Sequence, residues 1–389
     1  MTILILLVFL ILSWQFLLSQ FSLFSNVFLL LSFILIYNNG NYEQKRNIIV
    51  ILWIVFLFSS YSLIMQNAPS LIMRFALIVI FVLSAYSLNV NCINSRMLLK
   101  GVFILSLISC LCVIIFEFLL LFYFGDVEKK IIRNEVINAN MGDIYPSGGL
   151  YKIQVRGLPI IPFLYMYSYV GDLFPVKYNN LFRFIFLSAI VFAGNFAYII
   201  GLLLFHGLLF FHGMKQRKNF YKRIALLFFL IISLSAPFIS YVTDVYESKK
   251  DMSNAIRIEQ TTLLLDDLNS DVVSLFMGRG LGNTIDISTH FRDYKDNVYF
   301  ELQVIYILNQ LGIIPFLLFL IANFYFVYKY LPDVKIKIVY LGYVSYAVTN
   351  PYIMDTTQII VIILLLIAQN QNSNSFKSNE KSYLCLSSV

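Results

Sequence analysis

Cysteine and histidine are both scarce in this chain of 389 residues, which has four of the first and three of the second. Cys92, Cys110, Cys112 and Cys385 lie outside the long polar stretches, so no disulfide framework is implied. His206, His212 and His290 are too few and too dispersed for a zinc centre, and no metal is expected. Signatures of nucleotide chemistry are missing altogether. There is no P-loop, no dinucleotide fingerprint and no GxSxG elbow. No cofactor is therefore expected, and any reaction must draw its energy from a substrate that arrives activated. Charge is thin as well, with 13% of residues charged.

What fills the chain instead is apolar. Hydrophobic residues make up 59% of it, mean hydropathy is +0.79, and long apolar runs recur throughout. This composition predicts an all-α polytopic integral membrane protein. A β-barrel would alternate at period two, whereas Ile3 to Leu12 and Ile359 to Ala368 are continuously apolar. The first segment has neither a basic start nor a small-residue cleavage site, and reads as a retained helix. About twelve spans are expected, at about 2–18, 21–37, 47–65, 71–88, 101–124, 158–174, 181–194, 196–212, 224–242, 311–330, 338–352 and 356–369. Gly194 and Asn195 break a run too long for one crossing. Residues 1–370 read as one integral domain, and 371–389 as a polar, disordered cytoplasmic tail.

Orientation follows from the basic residues of the connections. With the N-terminus in the cytoplasm, the inside connections and tail hold more than half of the 28 Lys and Arg. The short outside turns at 66–70, 195 and 353–355 hold none. The net charge of +7 is thus mostly topological, and no nucleic-acid partner is implied. Two long loops fall outside, at about 125–157 and 243–310, and loops of that length are usually functional or disordered. In the second, Ile256, Leu263, Leu264 and Leu268 have helical spacing, and Gly278, Gly280 and Gly282 mark a compact turn. Asn297 to Leu311 is amphipathic and is expected to run unbroken into the next span.

The candidate site residues lie in or near these loops. Arg156, Arg257, Arg279 and Arg292 belong to segments that must pack close to the bilayer. Guanidinium groups never deprotonate and bind phosphate bidentately, so they suit a pyrophosphate head group, although each could equally be solvated surface. Arg74, one turn inside the fourth span, either snorkels or holds an anion. Glu117, deep in the fifth span, is either functional or a structural partner of Arg74. His290 and Asp296 stand where a base could reach a sugar hydroxyl. His206 and His212 read as interfacial or packing residues.

The sequence Gly278-Arg-Gly280-Leu-Gly282-Asn283, then Asp296-Asn297-Val298-Tyr299, then Asn309-Gln310-Leu311-Gly312, preceded by Arg257, resembles the periplasmic pattern of the Wzy-type O-antigen polymerases and the related O-antigen ligases. Gly194-Asn195-Phe196-Ala197 is similar to a break between two spans in that group, without the arginine common there. The likeness of architecture covers the whole chain. Asp296 stands where the ligases have histidine, and an arginine-x10-glycine spacing known in some polymerase loops is absent.

The resemblance implies a glycosyltransferase of the bacterial inner membrane, both termini cytoplasmic and both long loops periplasmic. Its substrates would be oligosaccharide units on undecaprenyl pyrophosphate, and a chain-length regulator would be a partner. Arg257, Arg156, Arg279 and Arg74 would bind the pyrophosphate, and Asp296 or His290 would be the base. Two alternatives are an O-antigen ligase and a polysaccharide flippase or other secondary transporter.

Overall fold

The computed structural model describes residues 42–86, 95–139, 142–147, 150–155, 157–171, 173, 176–214, 252–285, 302–350, 352–353, 355 and 357–371, with 34, 37 and 38 as isolated positions. The expected helices at about 2–18, 21–37 and 224–242 and the tail after Gln371 lie outside the described stretches. In chain order the elements are α1 (Tyr42–Ile64), α2 (Pro69–Ala85), α3 (Ser95–Phe122), α4 (Asp126–Asn138), β1 (Gly142–Ser147), β2 (Leu150–Val155), α5 (Ile160–Tyr167) and α6 (Asn179–Ala193). There follow α7 (Phe196–Met214), α8 (Met252–Leu268), α9 (Val272–Met277), α10 (Gln303–Leu311), α11 (Ile313–Tyr330), α12 (Val334–Ala347) and α13 (Thr357–Gln371).

Four of these helices, α1, α3, α7 and α11, are long and apolar enough to cross a membrane. Their exposed side chains are large and apolar, including Trp53, Phe56, Ile115, Phe118, Leu203, Leu318 and Phe324. Such a surface is stable against lipid and not against water. The pairs α1–α2, α3–α6 and α7–α12 pack along each other. Between α7 and α12 the backbones come close, because Gly201 faces Gly342 and a Cβ on Gly201 would lie 2.9 Å from the Gly342 carbonyl oxygen. Small residues at a crossing are the usual means of packing helices in lipid, where no water drives them together. α13 lies at the centre. Every residue from Thr357 to Ala368 is buried, as expected of a helix apolar on all sides.

The connections sort to two ends of the bundle. At one end Lys329 pairs with Glu43, Asn47 bonds the Tyr330 hydroxyl at 3.3 Å, and the Asp333 amide donates to Gln369 Oε1 at 3.0 Å. At the other, Asn67 reaches the 279–281 backbone, Asn195 bonds Asn350 at 3.3 Å, and the Tyr346 hydroxyl donates to the Pro159 carbonyl at 2.7 Å. Connections that charge counting groups on one side meet at one end. The break at Gly194 is also found, with that residue in the left-handed region at φ 62°.

Three features depart from expectation. The segment 158–174 is not a single span. Its helix, α5, stops after Tyr167, a length of about 12 Å against the ~30 Å hydrocarbon core. Gly171 and Pro175 give the helix no support for continuing. Turns at 168–171 follow, and Arg183 of α6 closes the helix end. Its Nη2 donates to the Ser168 carbonyl at 2.7 Å, its Nε to Ser168 Oγ at 3.0 Å, and its guanidinium stacks on Tyr169 at 3.7 Å. A cation at a helix C-terminus is favoured by the dipole as well as by the orphan carbonyls.

The second departure is at Gly312, where φ 70° and ψ 176° separate α10 from α11, so these do not form one continuous helix. The third is a two-stranded antiparallel sheet in the first of the two long loops. Its register runs from Gly142 opposite Val155 to Ser147 opposite Leu150, and α4 is tied to it by Arg133, whose Nε and Nη2 hold Asp143 at 2.7 and 2.9 Å.

Removing the Arg183 cap has a defined consequence. Arg183→Leu leaves the Ser168 carbonyl without its donor and should destabilise the purified protein by about 1–3 kcal/mol, read as a lowered melting temperature. Arg183→Lys keeps the charge but not the fork, and should recover only part of the loss.

Candidate functional site

The polar segment from Phe276 to Gly312 is pinned at its two ends to each other. The backbone at Gly278 to Gly282 lies against Asn309 to Gly312. The Arg279 amide donates to the Asn309 carbonyl and the Gly280 amide to the Gln310 carbonyl, both at 2.9 Å. The Gly282 amide donates to Gln310 Oε1 at 2.8 Å. From the other side, the C-terminal end of α1 and the turn after it grip the same turn. The Tyr61 hydroxyl donates to the Gly278 carbonyl at 2.7 Å, and Asn67 Nδ2 donates to the Arg279 and Leu281 carbonyls at 2.8 and 3.1 Å. The Leu281 amide donates to Ser62 Oγ at 2.8 Å. At about 1 kcal/mol net for each bond, this clasp is a large local term.

The three glycines permit it. Gly278, Gly280 and Gly282 have φ of 78°, 85° and 76°, and Gly312 has 70°. A Cβ on Gly280 would lie 2.9 Å from the Ser62 backbone, and one on Gly282 would lie 2.7 Å from Leu71. Conformation and space both exclude side chains here.

A polar cluster stands on the clasp. Asp267 Oδ2 accepts from Asn309 Nδ2 at 2.8 Å and from Asn283 Nδ2 at 3.0 Å, and Asn309 Nδ2 also reaches the Leu264 carbonyl at 2.9 Å. The Tyr306 hydroxyl donates to the Asn283 carbonyl at 2.7 Å. Arg279 belongs to this cluster. Its Nε lies 3.1 Å from Asp267 Oδ1, its Nη1 lies 3.5 Å from Asp271 Oδ2, and its Nη2 bonds Ser270. Bonds from the Ser274 amide and hydroxyl hold the Asp271 carboxyl below the usual range, and Arg279 adds to the effect.

The other candidates are placed as follows. Arg74 is exposed on α2, close enough to Tyr306 for its charge to act on that hydroxyl, and it forms no salt bridge among the described residues. It sits two residues after Ile72, whose backbone borders Gly282. Arg257 is exposed on α8, two turns before Leu264. Glu117 does not meet Arg74. It is fully buried on α3, where its Oε1 accepts the Tyr151 amide at 2.8 Å and so fastens the hairpin to the span. Among the described residues its Oε2 has no hydrogen-bond partner. His206 bonds the Tyr165 hydroxyl at 3.1 Å between packed aromatic rings, and His212 lies at the opposite end of the bundle from the clasp. Arg156, His290, Arg292 and Asp296 lie outside the described residues.

Sequence reasoning missed the partners of the glycine turn. Tyr61, Ser62 and Asn67 form a polar cluster at the end of an apolar helix, which was the available signal. Asp267 gave none, since one carboxylate in a polar loop is unremarked. Comparisons with protein-family models, with curated proteins and with solved structures give no match.

Gly312→Ala should lower the stability of the purified protein by at least about 1–3 kcal/mol, because the residue is forced to positive φ against the Gly278 backbone. Gly207→Ala is the control. Nothing lies within 4 Å of a Cβ there, inside α7, so its melting temperature should hold or rise.

Proposed function

We propose that this chain is a membrane glycosyltransferase that joins oligosaccharide units carried on undecaprenyl pyrophosphate into a polysaccharide, at the periplasmic face of the inner membrane. The observation that carries the reading is Arg74, an exposed guanidinium without a salt bridge among the described residues, on the helix that borders the clasp. An exposed guanidinium at the end of an apolar bundle suits a lipid-bound diphosphate. Arg257, also exposed, and Arg156 complete the proposed anion site. Arg279 already bridges two carboxylates, so we assign it to holding the clasp and not the substrate.

In the proposed reaction an acceptor hydroxyl attacks the anomeric carbon of the donor chain. The new C–O bond forms as the bond to pyrophosphate breaks, and undecaprenyl pyrophosphate leaves with the electron pair. Asp296 or His290 takes the hydroxyl proton. The arginines stabilise charge growing on the leaving group, so the step calls for no metal. A chain-length regulator would bind the same protein. A ligase would share this chemistry and differ in its acceptor.

One observation favours a second reading. The buried helix α5, only eight residues long and ending at Ser168, is the kind of interrupted span that transporters use for substrate sites. A flippase for lipid-linked oligosaccharide would use such a break.

Arg257→Ala and Arg74→Ala should each cut polymerisation by about 10²–10³-fold, the loss typical of removing one transition-state charge donor. Cells carrying either variant should display single capped repeats in place of a ladder on gels of surface polysaccharide. A normal ladder removes that arginine from the mechanism. Polymer formed by purified protein from lipid-linked units in detergent, with no membrane to cross, favours the transferase over the transporter.

A further inference from the structure

The six-residue helix α9 is inside out. Its buried side chain is a serine, and its exposed ones are apolar. Ser274 is 0% exposed and donates its hydroxyl to Asp271 Oδ2 at 2.7 Å. Val272, Val273, Phe276 and Met277 are 71%, 59%, 44% and 38% exposed, and helical spacing puts all four on one side. A helix in a water-exposed loop would present the opposite pattern.

The exposed side has a neighbour of the same kind. α9 packs on α11, whose outer half exposes Ile314, Leu317, Leu318 and Ile321. α11 is long and apolar enough to cross a membrane, and among its residues Phe319 alone is buried within the protein. Two exposed apolar surfaces therefore adjoin, that of the membrane-length helix α11 and that of α9. Charged groups gather at the N-terminal end of α9, where Asp271 caps it and Arg279, Ser270 and Asp267 surround the cap. That is the order a bilayer interface imposes, with charged groups among the headgroups and apolar side chains beneath them.

We propose that α9 is an interfacial anchor, lying in the outer-leaflet boundary with Val272, Val273, Phe276 and Met277 among the acyl chains. The occupant of this face is the bilayer itself. α9 leads directly into Gly278, so the anchor and the clasp are one continuous piece of chain, and the bilayer surface fixes the height of the polar insert. The inference holds whether or not the protein is a glycosyltransferase.

The test uses the full chain in phosphatidylcholine–phosphatidylglycerol vesicles, with Trp14 and Trp53 replaced by Phe and Val273→Trp as the sole indole. Phosphatidylcholine brominated near the headgroup should quench its emission by about half, matching a depth of about 5–10 Å, and aqueous iodide should quench it little. Phe276→Trp keeps an aromatic at the same face and gives the same readout if the first variant does not fold. Strong iodide quenching with none from brominated lipid overturns the proposal in favour of a water-exposed face. Protection from both quenchers overturns it in favour of a protein surface, such as a second copy of the chain.

Discussion

The backbone clasp between Gly278–Gly282 and Asn309–Gly312 is the constraint on which one end of this protein depends. It joins α9 to the start of α11, and through Tyr61, Ser62 and Asn67 it joins both to α1. A backbone contact of this kind needs the two segments to come within hydrogen-bond distance, which a Cβ at Gly278 or Gly312 would prevent. Four glycines at positive φ are thus one design element spread over 35 residues of sequence. The helix break at Gly312 follows from it, since a residue committed to the clasp cannot also carry helical φ and ψ from α10 into α11.

Elsewhere the problem is how an apolar bundle keeps its few polar atoms satisfied. The solutions are local and economical. Arg183 closes the end of α5. Tyr86 and Tyr340 share a hydroxyl contact at 3.0 Å, and Gln358 of α13 donates to Tyr340 at 3.1 Å. Glu117 meets a strand amide instead of a cation. Each arrangement replaces water that lipid or packed side chains exclude, where an unmet polar group is expensive. The cluster of Asp267, Asn283, Asn309 and Arg279 does the same at the surface of the clasp.

How much of this was legible follows from which signals are local. Apolar runs gave α1, α2, α3, α6, α7, α11, α12 and α13 to within a few residues, because lipid selects for length and hydropathy directly. The glycine spacing gave the turn at 278–282, and Gly194 gave the hairpin. The early stop of α5 was hidden, because its apolar composition continues past the helix end and only Gly171 and Pro175 hint at the change. The hairpin Gly142–Val155 was hidden because its two strands are short, six residues each, and lie in a loop read chiefly for its length and charge. For the candidate site, charge alone could not separate Arg74, which is exposed without a salt bridge among the described residues, from Arg279, which is bound to Asp267 and Asp271. That distinction depends on contacts across 12 or fewer residues of loop whose path sequence does not encode plainly.

The burial of α13 sets an order on assembly. It comes last in chain order among the described helices, yet its neighbours close around it on all sides, and it shares one apolar core with α5, α7 and α12. At ordinary rates of synthesis, on the order of tens of seconds separate the emergence of α1 from that of α13. During that interval the earlier helices must leave a seat open, filled by lipid or by the insertion machinery. The final packing is therefore a displacement from within, and the bundle becomes a single cooperative unit only when its central helix arrives.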